Sequence, residues 1–153
     1  MKAKLIAVFS LSLVSSGYSA TIKDFIGSWK GTRVEYVDGI KYSGTETISF
    51  KKQGSDLIET VTINIAGHKF TGTARFYSNK TCTSQLYYKG NILAVSSGTW
   101  VLDGDTITLN ETVNEIGIGL YDAQVTAQII GKKKLVSVST NASGSISVTL
   151  KKI

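Results

Sequence analysis

Turn signals recur about every ten residues along a chain that contains no proline. Asp38-Gly39, Gly90-Asn91 and Asp103-Gly104 each separate two apolar or β-branched runs. Dipeptides of this kind supply the positive φ that a two-residue hairpin needs. Residues 53–56, Gly67-His68, residues 78–83 and 116–119, Gly131-Lys132 and residues 142–144 punctuate the rest. So close a spacing leaves no room for a long helix. It predicts strands over residues 28–37, 40–52, 57–66, 69–77, 84–89, 92–102, 105–115, 120–130, 135–141 and 145–153. The only helical candidate is a single turn within residues 21–26.

Alternation inside these runs gives each strand a wet and a dry face. Val61, Ile63 and Ile65 oppose Thr60, Thr62 and Asn64; Ile146, Val148 and Leu150 oppose Ser147, Thr149 and Lys151. One apolar and one polar face is the pattern of an antiparallel sheet over a core. A run of short-looped strands must dispose of its edges, and closing the sheet on itself removes them. The expected fold is therefore all-β, an antiparallel up-and-down β-barrel of 8–10 strands. A two-sheet sandwich would need longer crossing connections. An outer-membrane barrel would need a lipid-facing apolar band in place of faces rich in Thr and Ser.

The first residues read differently. A basic start (Lys2, Lys4), an apolar stretch from Leu5 to Val14 and small residues through Ser19 form the pattern of a secretory signal peptide. Residues 1–19 are the expected leader, cleaved after Ser19, and residues 20–153 the expected domain, secreted or periplasmic. The stretch is short of the roughly 20 apolar residues that span a bilayer. Loss of Lys2 and Lys4 lowers the formal net charge from +6 to +4. That excess, with one tight basic run at Lys132-Lys133-Lys134, does not predict nucleic-acid binding. One cysteine, Cys82, and one histidine, His68, leave no thiolate or histidine set for a metal, and no cofactor is expected. Cys82 reads as a buried, inert thiol or half of an intermolecular bridge.

Asp24-Phe25-Ile26-Gly27-Ser28-Trp29 places a helical turn and then Gly-x-Trp at the first strand. This arrangement resembles the lipocalin and lipocalin-like (calycin) families. The second such segment, Gly98-Thr99-Trp100 with Val101 to Leu109 behind it, is similar to the later hairpin of small bacterial lipocalin-like domains, and also to avidins. The resemblance implies a barrel closed at one end by the tryptophan and open at the other for a small apolar molecule. Where those families often set an arginine against the tryptophan, this chain ends in Lys151 and Lys152.

If Trp29 points inward, strand parity sends Arg33 and Glu35 inward as well. Tyr42, Glu46, Ile48 and Phe50 share one face of the second strand, which sets Glu46 among apolar residues. A carboxylate there needs a partner, and Arg33 on the neighbouring strand is the candidate, to pair inside the pocket and orient a polar ligand end. The other possibility is that both face solvent across a bulge. The candidate ligand-binding residues are Trp29, Arg33, Tyr42, Glu46, Phe50, Phe76 and Trp100. No catalytic constellation, nucleophile elbow or phosphate loop is present in the sequence, and no enzyme is expected. The expected function is binding of a small, mainly apolar ligand inside the barrel. The alternative is a secreted interaction protein or hydrolase inhibitor that uses its loops and fills its interior with side chains.

Overall fold

Hairpins close at or beside the turn signals that fall within the described residues. The computed structural model describes residues 19–141 and 144–153; the expected leader, save Ser19, lies outside that range. A short helix α1 (Ile22–Phe25) leads into β1 (Gly27–Val37), β2 (Ile40–Gln53), β3 (Asp56–Ile65), β4 (His68–Phe76), β5 (Thr81–Tyr88), β6 (Asn91–Asp103), β7 (Thr106–Glu115), β8 (Gly119–Ile130), β9 (Lys134–Asn141) and β10 (Gly144–Lys152). Every strand pairs antiparallel with its sequence neighbours, and β1 pairs with β10, so the ten strands form a closed up-and-down barrel. The closing ladder runs from Trp29 opposite Lys152 to Val37 opposite Gly144. At Asp38-Gly39, Ala66-Gly67 and Lys89-Gly90 both turn residues have positive φ, the conformation that matches the strands' own twist.

β5 begins three residues earlier than the sequence predicts. The polar residues 78–83 read as a turn, yet β5 starts at Thr81. The Asn79 side-chain oxygen accepts hydrogen bonds from the Thr81 N–H (3.0 Å) and hydroxyl (2.7 Å). That tight turn ends the reversal early, and Cys82 enters the ladder between Phe76 and Gly98 as a buried thiol.

The two ends of the barrel differ. At one end the Asp24 carboxylate accepts from the Thr21 N–H (2.8 Å), holding α1 across the opening. Phe25 and Trp29 are fully buried there, and the Trp29 indole N–H donates to the Phe25 carbonyl (2.8 Å). Lys152 lies with its ammonium 5.0 Å from the centre of the Trp29 ring, so a chain-end lysine supplies the cation beside this tryptophan. On the opposite wall Trp100 repeats the arrangement: its N–H donates to the Tyr77 carbonyl (3.0 Å), and the Lys80 ammonium sits 4.0 Å from the ring centre. Phe50, Leu57, Phe76, Ile107, Ile129, Leu135 and Leu150 complete a solid core at this end. The other end is ringed by exposed Tyr36, Ile40, Tyr42, Ile92, Ile116, Ile118 and Leu120.

Closure depends on a close backbone approach beside Trp100. A Cβ on Gly98 would lie 2.0 Å from the Asn110 carbonyl oxygen of β7. Gly98→Ala is therefore expected to force β6 and β7 apart and to lower stability by about 1–3 kcal/mol or more, read as a fall in the urea midpoint at unchanged slope.

Candidate functional site

Above the aromatic plug the interior is not filled. A cavity of about 300 Å³ lies inside the barrel. Most of its wall is apolar, with Ile48, Val61, Ile63, Leu86, Val113, Val125 and Ile146 contributing. Set into that wall are Arg33, Glu46, Glu59, Glu111, Glu115, Ser84, Ser96 and Tyr121. Each reaches the interior by strand parity. On β3 the inward row is Leu57, Glu59, Val61, Ile63; on β7 it is Ile107, Leu109, Glu111, Val113, Glu115.

Arg33 is the only cation on this wall among the described residues, and it is committed. Its Nε donates to Glu35 (2.5 Å) and its Nη1 to Glu46 (2.5 Å). The expected Arg33–Glu46 pair thus forms inside the barrel, with a third partner in Glu35. Burial raises the proton affinity of Glu46 above the ordinary carboxylate value, and Arg33 opposes the rise. Glu111 is also raised by burial, although it accepts a hydrogen bond from the Ser96 hydroxyl (2.8 Å). Ser96 is in turn hydrogen-bonded to Ser84 (2.6 Å). At Glu115 the Tyr121 hydroxyl donates to the carboxylate (2.7 Å).

Glu59 stands apart. It makes no hydrogen bond or ion pair with any described residue. Its neighbours across the ladders are Phe50 and Ala74. Its side chain keeps some accessible surface, but that surface lines the cavity and protein surrounds the carboxyl. Desolvation, with the Glu46 and Glu111 charges adding to it, pushes its pKa up to about 8. Burial near Glu111 likewise pushes the Cys82 thiol up to about 11, which keeps it protonated and unreactive at neutral pH.

Of the residues singled out in the sequence, Arg33, Glu46, Phe50 and Phe76 line the cavity. Trp29 and Trp100 lie in the plug at the closed end, and Tyr42 stands at the open mouth, 37% exposed. Glu59, Glu111, Glu115, Ser84, Ser96 and Tyr121 were not anticipated. For Glu59 and Glu111 a signal was present, since each occupies the inward parity of an otherwise apolar row. His68 lies outside the cavity, exposed and hydrogen-bonded to the Tyr88 hydroxyl (2.8 Å). No group of three or more His, Cys, Asp or Glu among the described residues is placed to hold a metal ion.

Comparison with known proteins yields a likeness of fold. No protein-family model and no curated protein matches the chain. Among solved structures, the crystal structure of Rv2717c from M. tuberculosis is similar with a TM-score of 0.63 at 17% identity, over 86% of this chain and 94% of that one. A redesigned β-barrel, mFAP1, bound to DFHBI, is similar with a TM-score of 0.51 at 17% identity, over 85% of this chain and 96% of that one. Both likenesses are likenesses of fold alone.

Two outcomes follow from the interior charges. Arg33→Met leaves Glu46 without its cation, and is expected to cost about 3–5 kcal/mol at neutral pH; adding Glu46→Gln should recover part of it. The second outcome concerns pH. A carboxyl whose pKa rises on folding from 4.5 to about 8 keeps a proton that the unfolded chain has released. Stability of the empty protein should therefore be full below the lower value and fall as pH rises towards the upper one. Urea midpoints across that window should show the decline, and Glu59→Gln should lessen it, by on the order of 2–4 kcal/mol after discounting for partial solvent access.

Proposed function

We propose that this protein is an exported, lipocalin-like barrel that binds a small, mainly apolar molecule within its interior. The observation that carries the reading is the cavity of about 300 Å³, bounded chiefly by aliphatic and aromatic side chains. That volume falls at the lower end of the range for small-molecule sites, and a few polar groups in an apolar wall are their usual composition. The apolar residues around the open end, Ile116, Ile118 and Leu120 among them, would give such a molecule a favourable approach. That mFAP1, a barrel of similar fold, is bound to DFHBI agrees with a ligand-holding role.

Export rests on the sequence of residues 1–19. Ala20, just past the leader's expected end, is buried, and its backbone nitrogen donates to the Gly104 carbonyl (2.8 Å) at the closed end. The interaction-protein alternative is weaker on two counts. Its interior was expected to be filled, and the turns at the open end are mostly two-residue hairpins that offer little loop surface.

A catalytic role has one observation in its favour, the raised carboxyl of Glu59, which would suit a general acid. It lacks the companions. The Ser96 hydroxyl donates to Glu111, but the strand amides around it are engaged in the sheet ladders and leave no oxyanion site. Binding is the better reading.

Native mass spectrometry of the protein isolated from its own host tests the proposal. The expected result is a mature chain beginning at Ala20 that carries one retained small molecule, lost on organic extraction. A bare chain from the native source, together with failure of the purified barrel to take up any apolar probe, would overturn it.

A further inference from the structure

The charge balance of the cavity points to the chemical class of its occupant; the inference rests on the ligand-binding reading above and refines it. Four glutamates line the cavity, and Arg33 is the only cation set against them among the described residues. That arginine is already engaged by Glu35 and Glu46. Glu111 has only hydroxyl and thiol neighbours, the Ser96 Oγ at 2.8 Å and the Cys82 Sγ at 4.0 Å. Glu115 has the Tyr121 hydroxyl. Glu59 has no partner among the described residues; it lines the cavity, with Phe50 and Ala74 beside it on the neighbouring strands. An apolar chamber with a carboxyl that no described residue pairs is a poor home for a neutral hydrocarbon and a worse one for an anion. A cation with an apolar body satisfies both parts of it.

We propose that the cavity takes a protonated amine: the ammonium is held by Glu59, with Glu111 and Glu46 nearby, and the apolar remainder of the molecule fills the space towards the open end. Glu59, which keeps its proton at neutral pH while the cavity is empty, releases it when the ammonium arrives, and the unpaired carboxyl becomes the acceptor of a charge-assisted hydrogen bond. A divalent metal ion fits less well, because it needs six or more oxygens and most of this wall is aliphatic.

Three probes share one tail and differ only in the head: decylammonium, 1-decanol and decanoate. Calorimetric titration of each into the mature protein at neutral pH gives the ranking. Decylammonium is expected to bind roughly 10- to 100-fold more tightly than decanol, and decanoate more weakly than either. In Glu59→Gln the ratio of amine to alcohol affinity should collapse towards one. Glu111→Gln should reduce the same ratio by a smaller factor, and serves as the second reading if Glu59→Gln does not fold. Equal binding of amine and alcohol would overturn the amine assignment while leaving the apolar-ligand reading in place. Preference for decanoate would also overturn it and assign the head group to Arg33. If none of the three binds, both this inference and the reading beneath it fail.

Discussion

Closure of ten strands is the constraint on which everything else depends. Around eight strands, a barrel interior is just filled by side chains or holds one small ligand; each added pair widens it. The ladder from Trp29–Lys152 to Val37–Gly144 fixes the strand number at ten, and with it a bore wider than a single layer of side chains can fill. The chain responds differently at its two ends. Two indoles on opposite walls, the α1 phenylalanine and a layer of Leu and Ile fill the closed end. Towards the open end the inward positions go to Val, Ala, Ser and Glu, and the bore stays partly empty. The cavity follows from strand number and from where the large side chains are placed.

That division also separates stability from function. Trp29 and Trp100 each give the indole N–H a backbone acceptor and the ring face a lysine. Every polar atom of the plug is thus satisfied, as a buried aromatic core requires. The cavity wall is less completely paired, and relies on the open volume it faces. Glu46 is stabilised by Arg33, Glu111 by a serine hydroxyl and the more distant Cys82 thiol, and Glu59 by no side chain among the described residues. Such groups oppose folding, so their placement on the wall of an open volume is an argument about ligand and not about fold. Local inconsistency of this kind concentrates where a protein does its work.

The architecture was legible because hairpin chemistry is local. Asp38-Gly39 adopts the positive φ that its sequence favours, the turn expected at Gly90-Asn91 forms one residue earlier at Lys89-Gly90, and the β-branched alternation between them settles which side faces in. The pairing of Arg33 with Glu46 could be read by parity from Trp29, since both lie within one hairpin. The rest of the site was harder to read. Glu59 and Glu111 sit four strands apart in sequence, and only the curvature of the closed sheet brings them into one chamber. The aromatic residues misled in the opposite way. Trp29, Trp100 and Tyr42 have inward parity, but parity does not report height along the barrel axis, and height separates plug, cavity and mouth. At residues 78–83 composition outweighed pattern: Asn79 completes its turn in fewer residues than a polar run suggests, and Cys82 is drawn into the core.

The short turns at the open end decide where recognition can reside. A barrel with long loops could bind at its rim; here Asp38-Gly39, Ala66-Gly67 and Lys89-Gly90 each reverse the chain in the minimum number of residues. Tight turns with positive φ are stiff, and their side chains are few. What remains at this end is an apolar ring, with Ile116, Ile118 and Leu120 its most exposed members, above a wall whose carboxylates outnumber its single guanidinium. Apolar contact at the rim is unselective. Discrimination between ligands of equal size must come from the charged groups further in, where low dielectric makes each unpaired carboxyl costly and each correct counter-charge correspondingly favourable. Under the proposed ligand-binding role, selectivity and instability have the same source: the carboxyls that weaken the empty protein are the ones able to tell one occupant from another.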